Sequence, residues 1–218
     1  FSGKSGRVGA HGACEWAVAW TADADGFLSS YCNTVPTPDG GTHESGMRSA
    51  MLRGLKDVDW TKHLLPNELG FLVSRVDPAG WYPMTTFERM GLAILEEIAR
   101  KDLELVEAWG RVSIDGLIRA EPALLAPGDP RETLMRFGVL RASFFDYPAL
   151  TLREVHDDEA FVDVHYGMGA RAEEAATRQT MGFFDRLLAT AGARDVVVKL
   201  TQRSWEGAPT STIHVHWT

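Results

Sequence analysis

The sequence predicts an α+β protein built in two parts. Between residues 13 and 35, apolar side chains alternate with small or polar ones, which is typical of strands. From about residue 57 to residue 145 they recur at helical spacing, and the last third returns to alternation around one long amphipathic stretch. We therefore expect an N-terminal β-hairpin plus helix, then a helical half followed by a ββαββ antiparallel sheet unit.

The N-terminal hairpin is predicted from two alternating segments, residues 13–21 and 26–35, with the turn signal Asp25-Gly26 between them. If these segments pair with each other, Cys14 lies near Val35. The stretch from Phe1 to Gly12 is rich in glycine and is expected to be a loop.

A short helix is predicted after the hairpin. Proline and glycine from Pro36 to Gly41 end the second strand, because proline cannot donate to a strand ladder. Thr42 or Ser45 can then cap a helix that runs to about Leu55.

The sequence signals for helices are weak at the start of the helical half and stronger further along the chain. Residues 60–76 predict two short helical pieces interrupted at Pro66. Thr85 and Glu88 have the spacing of a capping box, and the apolar stripe that follows predicts a helix to about Arg100.

Two further helices are predicted before the sheet. One follows the apolar stripe from Leu103 to Leu117. The other starts at Pro130, since Asp129 is a favoured N-cap residue, and its apolar face extends to Phe145.

The pattern of apolar residues in the last third of the sequence predicts the ββαββ unit. Strands are expected at residues 150–156 and 161–166, then a helix over 171–191 that stops at Gly192, then strands at 196–202 and 210–217. Alternating apolar faces, in place of continuous apolar runs, predict an antiparallel sheet covered on one side.

Composition narrows the classes of function. The chain of 218 residues is 44% hydrophobic, enough to bury a core, and carries a net charge of −8. Its 22 lysines and arginines are scattered, so no direct nucleic-acid binding is expected. No apolar run has the length needed to cross a bilayer, and a cytoplasmic protein without membrane contact is expected.

The N-terminal part resembles one known family. The stretches Glu15 to Trp20 and Tyr31 to Thr34 and the loop Gly40-Gly41-Thr42-His43-Glu44 are similar to the transducer domain of the B subunit of bacterial topoisomerase IV and DNA gyrase. The resemblance covers residues 1–56. It implies a domain that couples ATP binding in a neighbouring module to DNA movement, and it implies topoisomerase subunits as partners.

The resemblance does not extend to ATP turnover. The family's Gln-Thr-Lys loop, whose lysine reaches the terminal phosphate, has no match, because the one Gln-Thr pair, Gln179-Thr180, is followed by Met181. The nucleotide-binding module has no counterpart in the sequence either. We expect no enzymatic activity, although the resemblance taken alone would imply an ATP-dependent type II topoisomerase.

Residues 57–218 resemble a different family. Gly80-Trp81-Tyr82-Pro83, Phe144-Phe145-Asp146-Tyr147, Gly192 to Val196 and the terminal Trp217 are similar to a paralogous family of uncharacterised proteins abundant in myxobacteria. That family in turn resembles the 4-vinyl-reductase and haem-NO-binding superfamily of small-molecule sensor and scaffold domains. Members often carry cysteines in the final hairpin, where this chain has Ser204 to Ser211 without cysteine.

A cluster of aromatic residues at helix ends is the candidate ligand pocket. An apolar lining of this kind suits a small molecule, but the same residues can equally be the core between helices and sheet. The candidates are Trp81, Tyr82, Trp109, Phe144, Phe145 and Tyr147.

Histidines are the candidate metal ligands. His214 and His216 share one face of the last strand, opposite Ile213, Val215 and Trp217, and can hold zinc if His156 or His165 supplies a third ligand. His165 can also be compared with the axial haem ligand of the haem-binding relatives, which lies on a helix, whereas His165 lies in a predicted strand. No cofactor is predicted, and an apolar ligand, haem or zinc are the alternatives.

Residues 57–218 are thus expected to form a non-enzymatic scaffold or sensor-like domain that binds a small molecule or a protein. The alternative is a DNA-topology protein that docks to topoisomerase subunits. A hairpin and one helix cannot close a core alone, so a protein partner or self-association is expected. The acidic runs Asp157-Asp158-Glu159 and Glu173-Glu174 are expected to be solvated.

Overall fold

The computed structural model describes residues 2–6, 13–17, 31–32, 35–36, 58–72, 77 and 80–218, the first four ranges by their backbone alone. The chain divides into two compact units, Phe1–Ala50 and Met51–Thr218, which we call the N-terminal and C-terminal units. Helices and a four-stranded antiparallel sheet in the C-terminal unit confirm the predicted α+β class. In the described part of the chain, no helix has the length and apolar character needed to cross a membrane.

The strands of the N-terminal unit pair differently from the prediction. Strand β1 (Ser2–Gly6) pairs antiparallel with β2 (Ala13–Ala17), so Cys14 lies opposite Ser5 and not opposite Val35. The backbone at Val35 pairs with Cys32 in a second sheet, formed by β3 (Tyr31–Cys32) and β4 (Val35–Pro36).

The expected loop at residues 1–12 was therefore wrong for Ser2–Gly6. Glycine and serine have no apolar side chain to produce an alternating pattern, yet their backbone groups complete a ladder as well as those of any residue. The helix predicted up to Leu55 and the loop from Gly40 to Glu44 lie outside the described residues.

The helical half contains three helices. Helix α1 spans Met84–Ala93 and continues as a π-helix over Ile94–Ile98; α2 spans Leu103–Ala120 and α3 spans Pro130–Leu140. The carboxylates of Asp102 and Asp129 cap α2 and α3 by accepting hydrogen bonds from backbone N–H groups of their first turns. The two short pieces predicted before α1 are 3₁₀ turns, Trp60–Lys62 and Leu69–Leu72.

The predicted capping box at Thr85 and Glu88 is wrong. Helix α1 starts two residues earlier, with Pro83 in place of Thr85 at the N-cap position and no side-chain cap. Glu88 instead accepts a hydrogen bond from the Gly169 N–H, at 2.9 Å.

The sheet follows the predicted ββαββ order. Strands β5 (Leu150–Val155), β6 (Glu159–Val164), β7 (Val197–Gln202) and β8 (Ser211–His216) form an antiparallel sheet in the order β5-β6-β8-β7. Helix α4 (Ala170–Ala191) connects β6 to β7, and Gly192 ends it in the left-handed conformation with φ of 105°.

The main core lies between α4, α3 and one face of the sheet. Phe184, Leu187 and Leu188 of α4 are fully buried against apolar residues of β6 and β8, and Phe137 of α3 packs edge-on against Phe184 at 5.2 Å. The sheet is thus covered on one side, as its alternating pattern predicts.

Helices α2 and α4 cross at two glycines. A Cβ atom on Gly110 would lie 1.9 Å from the carbonyl oxygen of Gln179, and one on Gly182 would lie 1.9 Å from that of Glu107. Only glycine allows the two backbones to approach so closely. The flanks of this crossing form the walls of the site described next.

The segment 58–72 is fastened to α1 by a buried carboxylate. Glu68, 2% exposed, accepts hydrogen bonds from the Thr86 hydroxyl at 2.6 Å, the Leu65 N–H at 2.8 Å and the Arg89 guanidinium. Four satisfied contacts make burial of this charge tolerable. The segment therefore belongs to the same packed body as α1.

Candidate functional site

The larger of two adjacent hollows lies beside the α2–α4 crossing. It has a volume of about 280 Å³ and is bounded by α1, α2, α3 and α4 together with the chain that leads into β5. Its walls are mostly aromatic and aliphatic: Phe87, Ser113, Leu117, Phe137, Phe144, Phe145, Leu150, Tyr166, Ala176, Gln179, Thr180 and Phe183.

The smaller hollow lies on the other side of Phe87. It has a volume of about 160 Å³, and it shares Phe87, Ala176 and Gln179 with the larger one. Its remaining walls come from α1, α2 and the start of α4: Glu88, Met90, Gly91, Ile94, Val106, Trp109, Met168, Ala172 and Ala175. We call the two hollows the large and small chambers, and together the cleft.

Two consecutive hydrogen bonds between hydroxyl and carbonyl groups lie in the wall of the large chamber. The buried Tyr166 phenol donates to the Thr180 hydroxyl at 2.6 Å, and Thr180 donates to the Ala176 carbonyl at 2.9 Å. Burial raises the pKa of Tyr166 well above its ordinary value, so the phenol keeps its proton. Both hydroxyl protons are thus used within the wall.

A buried carboxylate holds the backbone behind that wall. Glu173, 3% exposed, accepts hydrogen bonds from the N–H groups of Tyr166 at 2.7 Å and Met168 at 2.9 Å. The expectation that Glu173 is solvated was wrong, because the chain from β6 into α4 folds over it and supplies two donors. Its neighbour Glu174 is half-buried.

The predicted aromatic cluster is split by the structure. Phe144 and Phe145 line the large chamber and Trp109 the small one. Tyr147 lies behind the wall, where its hydroxyl donates to the Tyr166 carbonyl at 2.9 Å and its ring packs edge-on against Phe145.

Two members of that cluster lie away from the cleft. Trp81 is 63% exposed, and Tyr82 donates its hydroxyl proton to the Asp77 carbonyl. Sequence reasoning missed Phe87, Gln179 and Phe183, because their convergence depends on the crossing of three helices. That the aromatic residues hold a ligand stays a prediction.

The histidines of the last strand face away from the core, as predicted. Ile213, Val215 and Trp217 are buried, whereas His214 is half-buried and His216 exposed. His214 stacks on the Phe161 ring at 4.5 Å, and its Nε2 lies 2.8 Å from a carboxylate oxygen of Glu159.

No described histidine joins a group suited to a metal ion. His165 is exposed, with its backbone N–H donating to the Ala149 carbonyl, and the backbone N–H of His156 donates to the Glu159 carbonyl. Among the residues the structure describes, no cluster of three or more His, Cys, Asp or Glu side chains is placed to hold a metal.

The cleft does not fit haem. Its lining contains no histidine or cysteine, and of the other axial ligand types it offers Tyr166, Met90 and Met168. The Tyr166 phenol is protonated and donates to Thr180, so it does not supply the phenolate that haem iron requires. Neither chamber is lined by lysine or arginine to pair with the haem carboxylates.

The N-terminal segment is similar to topoisomerase B subunits. A family model described as DNA gyrase B matches residues 3–72. The B subunit of DNA topoisomerase 4 from Caulobacter vibrioides is 62% identical over 60 residues, which are 26% of this chain and 9% of that protein. The corresponding protein of Bartonella bacilliformis is 55% identical over 56 residues, 26% of this chain and 8% of that protein. The chain thus spans less than a tenth of these curated relatives.

The fold is similar to that of solved H-NOX domains. An oxygen-binding H-NOX domain related to soluble guanylate cyclases has a TM-score of 0.52 and 16% identity, covering 80% of this chain and 93% of that one. The Fe(II) unliganded H-NOX protein of K. algicida has a TM-score of 0.54 and 12% identity, covering 78% and 89%. Identities this low show the fold alone.

The chain therefore combines an N-terminal segment similar to the B subunits of DNA gyrase and topoisomerase IV with a fold that, over about four fifths of its length, is similar to that of H-NOX domains.

Proposed function

We propose that the C-terminal unit is a non-enzymatic binding domain that holds a small apolar molecule in the cleft. The observation that carries the proposal is the cleft itself: two adjacent chambers, lined mainly by aromatic and aliphatic groups, beside the close α2–α4 crossing. An apolar lining with few polar groups is typical of small-molecule sites. The solved H-NOX domains, one of them oxygen-binding, support a small-molecule role by analogy of fold.

The cleft lacks the groups expected of a hydrolytic or acid–base enzyme. Its single carboxylate, Glu88, is held by the Gly169 N–H, and its tyrosine and threonine hydroxyls are used within the wall. No histidine or cysteine in the lining is available as a base or nucleophile. These features favour binding over catalysis.

The test is a titration with Nile red, a neutral apolar dye that fluoresces when it leaves water, combined with native mass spectrometry of the purified chain. Ala176 lines both chambers, so Ala176→Phe is expected to fill their junction and weaken dye binding by about tenfold, roughly 1.4 kcal/mol. Ala189→Phe adds the same ring to the exposed face of α4 and is the matched control. Equal binding by both variants would contradict the proposal.

A second candidate function is docking to topoisomerase subunits. It is supported by the match of residues 3–72 to the gyrase B family and by 62% identity to a topoisomerase 4 B subunit over 60 residues. The loop Gly40 to Glu44 would be part of the docking surface. Retention of the chain on immobilised topoisomerase IV subunits, lost when His43 and Glu44 are changed to alanine, is the expected result. No retention of the unaltered chain would eliminate this candidate.

A further inference from the structure

Gln179 is the one carboxamide side chain in the lining of the cleft. It lies on α4 where the two chambers meet, together with Phe87 and Ala176. No hydrogen bond from any residue in the described part of the chain reaches its side-chain amide, and the side chain is half-buried. A carboxamide has two N–H donors and one carbonyl acceptor, so Gln179 presents both kinds of group to the cleft.

The other polar groups of the lining are already engaged. The Ser113 hydroxyl donates to the Gly110 carbonyl at 2.8 Å, and the Tyr166 and Thr180 hydroxyls donate within the wall. Glu88 accepts from the Gly169 N–H. The hydroxyl protons are thus used, and Gln179 is the lining side chain whose N–H donors have no partner among the described residues, so it can pair with an acceptor atom of a bound molecule.

The lining of the cleft disfavours an anionic group beside Gln179. Among the residues the structure describes, no lysine or arginine lines either chamber, and the one charged group in the lining is the carboxylate of Glu88. A carboxylate placed beside Gln179 would lose its hydration without gaining a cationic partner. The polar group that pairs with Gln179 is accordingly uncharged.

The position of Gln179 also limits the shape of the ligand. The chambers of about 280 and 160 Å³ extend to either side of the junction, and both are apolar. A molecule that fills both has an apolar arm in each and its polar group near the middle. A molecule with its polar head at one end that filled both chambers would place that head away from Gln179.

We propose that the cleft selects an elongated, uncharged apolar molecule with a central amide-like group, which hydrogen-bonds the Gln179 side chain while an apolar arm fills each chamber. This inference rests on the binding role proposed above and specifies the class of ligand. A secondary amide in its trans form has its N–H and C=O on opposite sides, so it makes one hydrogen bond with Gln179, either by donating to the carboxamide oxygen or by accepting from the carboxamide N–H.

The test measures displacement of Nile red from the full chain by three probes: N-hexylhexanamide, with a central amide; tridecane, of similar length without a polar group; and dodecanoate, with a terminal charge. We expect the amide to bind about tenfold more weakly to Gln179→Leu than to the unaltered chain, the loss expected for one well-placed hydrogen bond. Tridecane is expected to bind the two proteins equally or to favour the variant.

The chain contains a matched control, because its other glutamine is Gln202, on the exposed side of β7, where its side chain accepts a hydrogen bond from Thr212. Gln202→Leu is expected to leave displacement by all three probes unchanged. Urea unfolding of both variants reports whether each is folded, and Gln179→Met replaces Gln179→Leu if the latter is not.

The outcomes separate this inference from the binding role. If the unaltered chain binds neither Nile red nor tridecane, the proposed function itself fails. If both bind but the amide displaces the dye equally well from the unaltered chain and the Gln179 variants, the binding role stands and the role of Gln179 is overturned. Tightest binding of dodecanoate would also overturn the inference, since it would show that a terminal charge is accepted.

Discussion

Gly110 and Gly182 mark the point where α2 and α4 touch backbone to backbone, and a Cβ atom on either would lie 1.9 Å from a carbonyl oxygen of the opposite helix. The contact is shorter than any side chain permits, so it fixes both the distance and the crossing point of the helices. Trp109 and Ser113 of α2, and Gln179 and Phe183 of α4, project into the cleft from either side of this point. The shape of the cleft thus depends on glycine at both positions, because neither has a side chain that would hold the helices apart.

Gly110→Ala and Gly182→Ala are each expected to lower the free energy of unfolding by about 2 kcal/mol, because a methyl group forces the helices apart. Urea denaturation measures the loss. Gly116→Ala is the control on the same helix: no atom lies within 4 Å of its Cβ position, so alanine is expected to stabilise α2 by up to about 1 kcal/mol. A neutral effect at Gly110 would show that the crossing is looser than described.

Glu68 is expected to make stability sensitive to acid. Hydrogen bonding to the Arg89 guanidinium is the main cause that lowers the pKa of Glu68 from 4.5 to about 2. Because the folded-state pKa lies below the unfolded one, the stabilisation is fully present above about pH 4.5 and is lost as the pH falls toward 2. Glu68→Gln should therefore have a lower free energy of unfolding than the unaltered chain at pH 7. The difference between the two free energies should become smaller below pH 4.5.

The measurement for Glu68 is urea unfolding in steps from pH 7 to pH 3. Glu121→Gln serves as the control, since Glu121 is an exposed carboxylate at the end of α2 and its removal should leave the pH dependence unchanged. Parallel curves for Glu68→Gln and the unaltered chain would contradict the assignment.

The boundary between the two parts of the chain is testable with fragments. We expect residues 57–218 to unfold cooperatively on heating. A fragment of residues 73–218 starts where the gyrase B match ends and should be markedly less stable, because it lacks Glu68 and leaves Thr86 and Arg89 without their acceptor. Circular dichroism distinguishes the two fragments, and equal melting temperatures would show that residues 58–72 contribute nothing to the C-terminal unit.

The reverse fragment, residues 1–56, is expected to show no cooperative melting. Two-stranded sheets are at best marginally stable in water without further packing. A sharp thermal transition of this fragment alone would contradict the expectation that the N-terminal segment needs a cover.

Glu173 and Glu174 are adjacent in sequence but expected to differ in their effect on stability. Glu173→Ala removes the acceptor of the Tyr166 and Met168 N–H groups and should lower the free energy of unfolding by about 3 kcal/mol. Glu174→Ala is the control and should change it by less than about 1 kcal/mol. Chemical denaturation at neutral pH measures both, and similar losses would mean that the Glu173 hydrogen bonds are not important.

The fold was predictable from sequence where side chains carry the pattern. The ββαββ order, the stop at Gly192, the cap at Asp129 and the burial of Ile213 and Val215 agree with periodicity and capping rules. The pairing of β1 with β2 was not predictable, because glycine and serine give no alternating signal. The early start of α1 at Met84 was missed, because the capping-box pattern placed the N-cap at Thr85 and the structure has Pro83 as the N-cap instead.

The sequence by itself determined the fold class, the order of the main helices and strands in the C-terminal unit and the likeness of the first part to the topoisomerase B subunits, because local spacing or short motifs carry each of these. Only the tertiary structure decided the site. Phe87 of α1 is far in sequence from Gln179 and Phe183 of α4, and the packing of the helices brings them to one cleft. Helix α2 forms another wall of it and approaches α4 to backbone contact at Gly110 and Gly182. The two glycines have their effect by letting helices distant in sequence come close together, and the spacing of apolar residues along the chain does not reveal such a contact.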